Sequence, residues 1–278
     1  ILSSRVNVID RGAFFSRDRS NTAKTLENSH VVFVGVGSLG SAVSIQLARA
    51  GLGRLTLIDP DRLESPNLGR HMLGAEDLGK FKSQAMRHRL LQDLPVLDVT
   101  ALDTYIEWVM GQKPDIFEDV DLVIITTADW ESESALWEKK ASGAKWGLIQ
   151  AWSEPHTLVG HALIAPEGRF DARYLFSDRG DFRHRFTDWP DGGVVPLPAC
   201  GESFIPGGSA GMNGVATMVT QAAIRYLTTV GDVTQWHSSV YRPDEAGVLG
   251  GRYTGPVLPE GVVHSVFERN WPKPGQNA

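Results

Sequence analysis

The sequence predicts an α/β fold: a doubly wound, mostly parallel sheet with helices on both faces and a β-rich C-terminal extension. Three observations lead to it. From His30 onward, short runs of β-branched and aliphatic residues alternate with longer amphipathic stretches, the pattern of consecutive βαβ units. The first apolar run, Val31-Val32-Phe33-Val34, enters Gly35-Val36-Gly37-Ser38-Leu39-Gly40. This is a strand–turn–helix in which glycine lets the backbone approach a polyphosphate at the positive end of a helix. The second run, Leu55-Thr56-Leu57-Ile58, ends on Asp59, where a carboxylate is placed to accept hydrogen bonds from a ribose hydroxyl.

Taken in order, the first 29 residues are polar, carry Arg5, Arg11, Arg17 and Arg19, and show no strong period, so they read as an arm or short helical segments. The alternation then predicts strand 30–35, helix 38–50, strand 54–59, helix 79–93, strand 96–103, strand 121–127, helix 131–142 and strand 146–152. Gly51 after Ala48-Arg49-Ala50 is a helix stop. Residues 157–166 read as a further strand at the far side of the sheet. Regularity lapses over 167–208, a Pro- and Gly-bearing crossover loop of the length that in compact domains is usually functional or mobile. Helix 209–229 follows, with apolar residues on most faces, which marks it as buried. Residues 236–241 and 262–267 read as antiparallel strands joined by Gly- and Pro-rich turns. The organisation expected is an arm over 1–29, a nucleotide-binding domain over 30–232, and over 233–278 a β-rich extension of that same domain.

Composition narrows the function. With 278 residues, 42% of them hydrophobic, the chain can bury a proper core. A formal charge of −6 provides no basic field, which argues against nucleic acid or an anionic membrane surface as a partner. No apolar run reaches the length of a membrane span and no signal peptide is evident, so the expected location is the cytoplasm. The single cysteine, Cys200, excludes an internal disulfide framework and a multi-thiolate zinc site made by this chain alone. The chain starts at Ile1 instead of methionine, from which a fragment of a longer protein is expected.

A dinucleotide-binding oxidoreductase needs little beyond Gly35, Gly37, Gly40 and Asp59. This sequence adds Asp61, Asn67, Arg70 and Lys82, polar and cationic groups suited to gripping the phosphates of a nucleotide that is to be cleaved. Taken together, Gly35-Val36-Gly37-Ser38-Leu39-Gly40, Asp59-Pro60-Asp61, Asn67-Leu68-Gly69-Arg70, Gly79-Lys80-Phe81-Lys82, and Asp129 after Leu122-Val123-Ile124-Ile125 resemble the ubiquitin-activating enzyme superfamily. The similarity is greatest to its ThiF/MoeB/HesA adenylyltransferases and runs from about Leu26 to Leu227.

The resemblance implies a Rossmann-like domain that uses ATP and Mg2+. Asp59 binds the ribose and Asp61 positions the same end of ATP. Asn67, Arg70 and Lys82 hold the phosphates, and Asp129 coordinates magnesium. It also implies a ubiquitin-like protein as substrate, a conjugating-enzyme-like acceptor and a homodimer. Cys200, within Pro196-Leu197-Pro198-Ala199-Cys200-Gly201, stands where relatives carry the cysteine that receives the acyl group as a thioester. A thiol in such a loop is either an exposed nucleophile or a buried, inert side chain.

Two departures from the family pattern stand out. The paired Cys-x-x-Cys zinc ligands of many sulfur-carrier activators are absent, and Arg5, Arg11, Arg17 and Arg19 compete for the role of the arginine that reaches a partner's ATP. The expected function is therefore ATP-dependent adenylation of the C-terminal carboxylate of a ubiquitin-like protein, with thioester formation on Cys200, in bacterial ubiquitin-like conjugation. The alternatives are a sulfur-carrier or small-peptide adenylyltransferase, an NAD-dependent oxidoreductase, and a catalytically idle scaffold. His156 and His161, on strands that project them to opposite faces, are expected to be structural and not metal ligands. Trp108, Trp130, Trp137, Trp146 and Trp152 are expected in the core or at its rim, with Trp130 a candidate to flank an incoming peptide tail.

Overall fold

The computed structural model describes residues 7–18, 21–196, 203–204, 206–229, 231 and 233–272. Two short helices, α1 (Arg11–Phe14) and α2 (Thr22–Leu26), precede the first strand. Then come β1 (His30–Val34), α3 (Ser38–Ala50), β2 (Arg54–Ile58), α4 (Lys82–Asp93), β3 (Asp98–Leu102), α5 (Ile106–Gln112), β4 (Leu122–Ile125), α6 (Trp130–Ala141), β5 (Gly147–Ser153) and β6 (Val159–Ala165). Three two-residue strands follow: β7 (Thr187–Asp188), β8 (Val195–Pro196) and β9 (Ser203–Phe204). The chain ends with α7 (Ser209–Thr228), β10 (Gln235–Tyr241), α8 (Glu245–Val248), β11 (Arg252–Tyr253) and β12 (His264–Arg269).

One eight-stranded sheet organises these elements, in the order β12-β10-β6-β5-β4-β1-β2-β3. From β3 to β5 every pairing is parallel, while β6, β10 and β12 add in antiparallel sense. Strands β1, β4 and β6 are buried along their whole length, as a sheet covered on both faces requires. Alternate residues of β1 point into two separate cores. Val31 and Phe33 pack with α3, α4 and α7, through Leu47, Met86 and Val219 among others. Val32 and Val34 pack with α5 and α6, through Val109, Leu136 and Trp137.

Several expectations need correction. Helix α4 starts at Lys82, so Gly79-Lys80-Phe81 belong to the turn before it; Gly79 has φ of +79°, outside helical space. Strand β6 does not lie at the far side of the sheet, because β10 pairs along it and β12 forms the edge. Helix α5, absent from the expected elements, is seven residues long, too short for a helical period to show in the sequence. His156 is on no strand: it sits in a left-handed turn with φ of +62°, while His161 lies within β6.

Candidate functional site

The chain runs outward from β1 through β2 to β3, then crosses back to β4 on the other side of β1. Ligands of open α/β sheets bind above the carboxyl ends of strands at such a reversal. A cleft of about 220 Å³ lies there, lined by Val34 and Gly35 at the end of β1, Ile58 to Asp61 at the end of β2, Thr104 to Ile106 beyond β3, and Thr126, Thr127, Asp129 and Ser132 beyond β4. Gly37, the N-cap of α3, and Lys82, the first residue of α4, complete it.

Glycine is required in the first turn for two different reasons. Gly35 has φ of +87°, and a Cβ there would stand 2.9 Å from the Thr127 nitrogen. Gly40 is away from the cleft and serves contact: a Cβ there would fall 2.1 Å from the Gly35 carbonyl oxygen, so its absence lets α3 close onto the turn. The N-terminus of α3 consequently opens onto the cleft at Gly37 and favours negative charge there.

Asp59 is 4% exposed. One carboxylate oxygen accepts the Val36 N–H at 2.6 Å and the other the Asp61 N–H at 2.9 Å, so Asp59 ties the glycine turn to the end of β2. Burial pushes its carboxyl above the usual aspartate range, against the pull of those two N–H groups and of Lys82. His71 secures the other side of the turn. Its Nδ1 accepts the Leu73 N–H at 3.1 Å, which leaves Nε2 to donate to the Val36 carbonyl at 2.7 Å. Burial lowers the imidazole's proton affinity and keeps it in that neutral form.

Lys82 is nearly buried, and its Nζ donates to Asp61 at 2.9 Å, while the Asp61 side chain is 65% exposed. Its own N–H donates to the Asp61 carbonyl at 2.8 Å, fixing the base of the pair. Across the cleft, Asp129 caps α6 by accepting the Ser132 N–H at 3.1 Å. Ala128 just before it has φ of +56°, in the left-handed region. Behind this turn lies Glu133, buried; it accepts from the Gln150 amide at 2.6 Å and from the Thr127 hydroxyl at 3.5 Å. Burial drives the Glu133 carboxyl up to about 7.

Gly35, Gly37, Asp59, Asp61, Lys82 and Asp129 thus line one cleft. Asn67 and Arg70 lie in an adjacent turn. The Asn67 side-chain oxygen accepts the Glu64 N–H at 2.9 Å in a local cap, and the Arg70 N–H donates to the Asn67 carbonyl. His71 pins this turn to the glycine turn, so Arg70 stands one residue from that anchor. Cys200 lies outside the described residues, between the paired strands β8 and β9. Of the competing arginines, Arg5 and Arg19 also lie outside them. Arg11 is committed within its own chain: it donates to the Gly51 carbonyl and pairs with Glu27 at 3.2 Å.

Among the described residues no three His, Cys, Asp or Glu side chains cluster as a metal site. Magnesium arriving with a nucleotide needs only one or two carboxylates besides phosphate oxygens, and Asp129 is of that kind. His161 and Ser238 are each 0% exposed and Glu154 2%. They form a sealed Ser–His–Glu chain, unreachable by a substrate, in which His161 Nε2 donates to Glu154 at 2.7 Å. Trp130 packs on Phe176 at 4.9 Å and against Gly180, under the 177–181 turn. The sequence alone does not mark out Thr104, Tyr105, Ile106 and Thr127 of the cleft wall, nor His71 and Glu133 behind it. For all but His71 the signal is positional: each follows a strand's carboxyl end or stands within one turn of such a residue.

The model of the ThiF family matches residues 10–223. The probable adenylyltransferase/sulfurtransferase MoeZ of Mycobacterium tuberculosis is 25% identical over 221 residues, covering 78% of this chain and 52% of that protein. The ATP-dependent ubiquitin transferase-like protein Cap2 of Pseudomonas aeruginosa is 28% identical over 211 residues, covering 70% of this chain and 37% of that one. The chain therefore spans about half the length, or less, of these relatives. Among solved structures, PaaA superimposes with a TM-score of 0.61 over 97% of this chain and 76% of its own, at 18% identity, a likeness of fold.

Proposed function

We propose that this chain, which belongs to the ThiF family, uses Mg·ATP to adenylate the C-terminal carboxylate of a ubiquitin-like protein and then carries the acyl group on Cys200. The observation that supports this reading is the convergence of the glycine turn, Asp59, the Asp61–Lys82 pair and Asp129 on a single cleft. Asp59 and Asp61 suit the ribose end of the nucleotide. Lys82 and the N-terminus of α3 oppose phosphate charge, and Arg70, one residue from the pinned His71, is assigned the same role. Asp129 faces them with the carboxylate a phosphate-bound magnesium needs. The partner's carboxylate oxygen attacks the α-phosphorus, the bond to the bridging oxygen breaks, and pyrophosphate leaves with its charge offset by Lys82. The Cys200 thiolate then attacks the acyl carbonyl and displaces AMP.

Relatives carry names of both kinds, a sulfur carrier protein ThiS adenylyltransferase and the ATP-dependent ubiquitin transferase-like protein Cap2, and adenylation is the step the reading shares with either. One experiment tests the proposal. The protein is incubated with Mg·ATP, labelled pyrophosphate and candidate ubiquitin-like proteins, and both isotope exchange into ATP and intact mass are followed. Exchange that depends on the partner's free C-terminus, with a reductant-sensitive adduct lost in Cys200→Ala, is the expected result. Exchange without an adduct limits the reaction to adenylation. No exchange with any such partner overturns the reading.

A further inference from the structure

Behind the cleft wall runs a chain of hydrogen bonds whose direction is fixed at its buried end. The Trp137 indole is fully buried and can only donate; its Nε1 reaches the Gln150 side-chain oxygen at 2.6 Å. That orients the Gln150 amide group, whose Nε2 donates to Glu133 at 2.6 Å. Glu133 also draws the Ala128 N–H of the cleft turn; the Thr127 hydroxyl makes a long contact of 3.5 Å to its other oxygen and accepts the Asp129 N–H at 3.2 Å. The donors are thereby assigned from the core of β5 and α6 out to Glu133.

The segment at its outer end needs holding. Ala128 adopts φ of +56°, a conformation that costs a side-chain-bearing residue about 1–2 kcal/mol. Such outliers persist where surroundings over-determine them, and they gather at functional sites. Thr127 and Asp129, on either side of Ala128, both line the cleft, whereas Glu133 does not touch it.

Resting on the nucleotide reading above, we infer that Glu133 is the positioning residue for Asp129: through Thr127 it holds the 126–129 turn so that the Asp129 carboxylate meets magnesium-bound phosphate. It acts through its neighbours and contacts neither nucleotide nor metal.

The test separates this role from a merely structural one. ATP affinity is measured calorimetrically with magnesium and again with EDTA, for the wild type, Glu133→Ala, Glu133→Gln and Thr127→Val, with thermal melts alongside. Tighter binding of ATP with magnesium than with EDTA is expected in the wild type. Glu133→Ala should erase at least tenfold of that magnesium-dependent gain while its affinity in EDTA stays within threefold of wild type. Glu133→Gln, which keeps the shape and an acceptor for Gln150, should retain most of the gain, and Thr127→Val should lose part of it. If Glu133→Ala does not fold, Thr127→Val, which leaves Glu133 in place, decides.

An equal loss with and without magnesium, or no loss in the folded variants, overturns the inference and leaves the nucleotide cleft standing. A wild type that binds ATP equally in both conditions overturns it too, since Asp129 then meets no metal. A wild type that binds no ATP at all overturns the nucleotide reading itself.

Discussion

Two glutamates are buried to nearly the same depth on neighbouring elements, and their protons behave oppositely. Glu133, 6% exposed, is pushed up to about 7, whereas Glu154, 2% exposed, is held below the ordinary glutamate range. Burial raises both. The difference is in the bonds received. Glu154 accepts from His161 Nε2, the N–H groups of Phe186 and Thr187, and the Thr187 hydroxyl, all at 2.5–2.7 Å. Glu133 has the pull of the Ala128 N–H, the Gln150 amide and a long contact from Thr127, with the charge of Asp129 against them. A saturated carboxylate fastens the fold, here clamping the crossover segment at Phe186–Thr187 to the end of β5. An under-saturated one stands next to chemistry, behind Asp129.

The largest effect expected from that contrast is on stability at Glu154. Glu154→Ala removes the acceptor for a buried imidazole N–H and two backbone N–H groups at once, and should cost about 3–5 kcal/mol in urea unfolding. Glu133→Ala orphans far less and should cost clearly less. A cost near zero at Glu154 would break the comparison.

Next comes pH. The raised carboxyl of Glu133 makes the folded state bind more protons than the unfolded state between pH 4.5 and about 7. Its contribution to stability is present below the unfolded value and is lost as pH rises through that window. The full loss is on the order of 3 kcal/mol, from about 1.4 kcal/mol per pH unit. Glu133→Gln lacks this term, so its stability relative to wild type should increase from pH 5 to pH 7.5. Glu154, with its lowered carboxyl, adds the opposite slope: stability present above the unfolded value and lost as pH falls. Unfolding at the two pH values measures the difference, and a gap between Glu133→Gln and wild type that ignores pH contradicts it.

The contrast also explains what the sequence made legible. The nucleotide half of the sheet follows from local grammar: β1, the glycine turn and α3 are contiguous, and α3 was read at its observed bounds, 38–50. Asp59 is legible from its spacing after the glycine turn, and Asp61, Lys82 and Asp129 from the family motifs they complete. The Glu154–His161 clamp is not legible because its partners are distant in sequence: Trp236 and Ser238 arrive when β6 and β10 pair, and Thr187 comes from β7. Glu133 was passed over because it reads as an ordinary acidic first-turn residue of α6, and only the packing of β5 brings Gln150 against it. Placing β6 at the far side of the sheet was an error of the same kind, since two later strands were needed to cover it.

In the cleft itself, Lys82→Ala should reduce pyrophosphate exchange about 10- to 100-fold, equivalent to about 1.4–2.7 kcal/mol of transition-state stabilisation. Melting should hardly change. Comparable losses in exchange and stability would place Lys82 with the fold-fastening groups, beside Glu154.

The smallest effect belongs to Asp61. It is the exposed partner of Lys82, with its side chain 65% accessible to water, and ion pairs of that kind contribute about 0–1 kcal/mol. The backbone bond from the Lys82 N–H to the Asp61 carbonyl survives any substitution that keeps the main chain in place. Asp61→Asn should therefore lower stability by less than about 1 kcal/mol while weakening ATP binding measurably, because Lys82 no longer has a carboxylate to hold its ammonium in the cleft. Calorimetric ATP affinity and a melt on one sample decide the matter. If stability falls and affinity does not, the Asp61–Lys82 pair is a structural clasp, and the division between a fold-fastening carboxylate and one serving the nucleotide needs a third member.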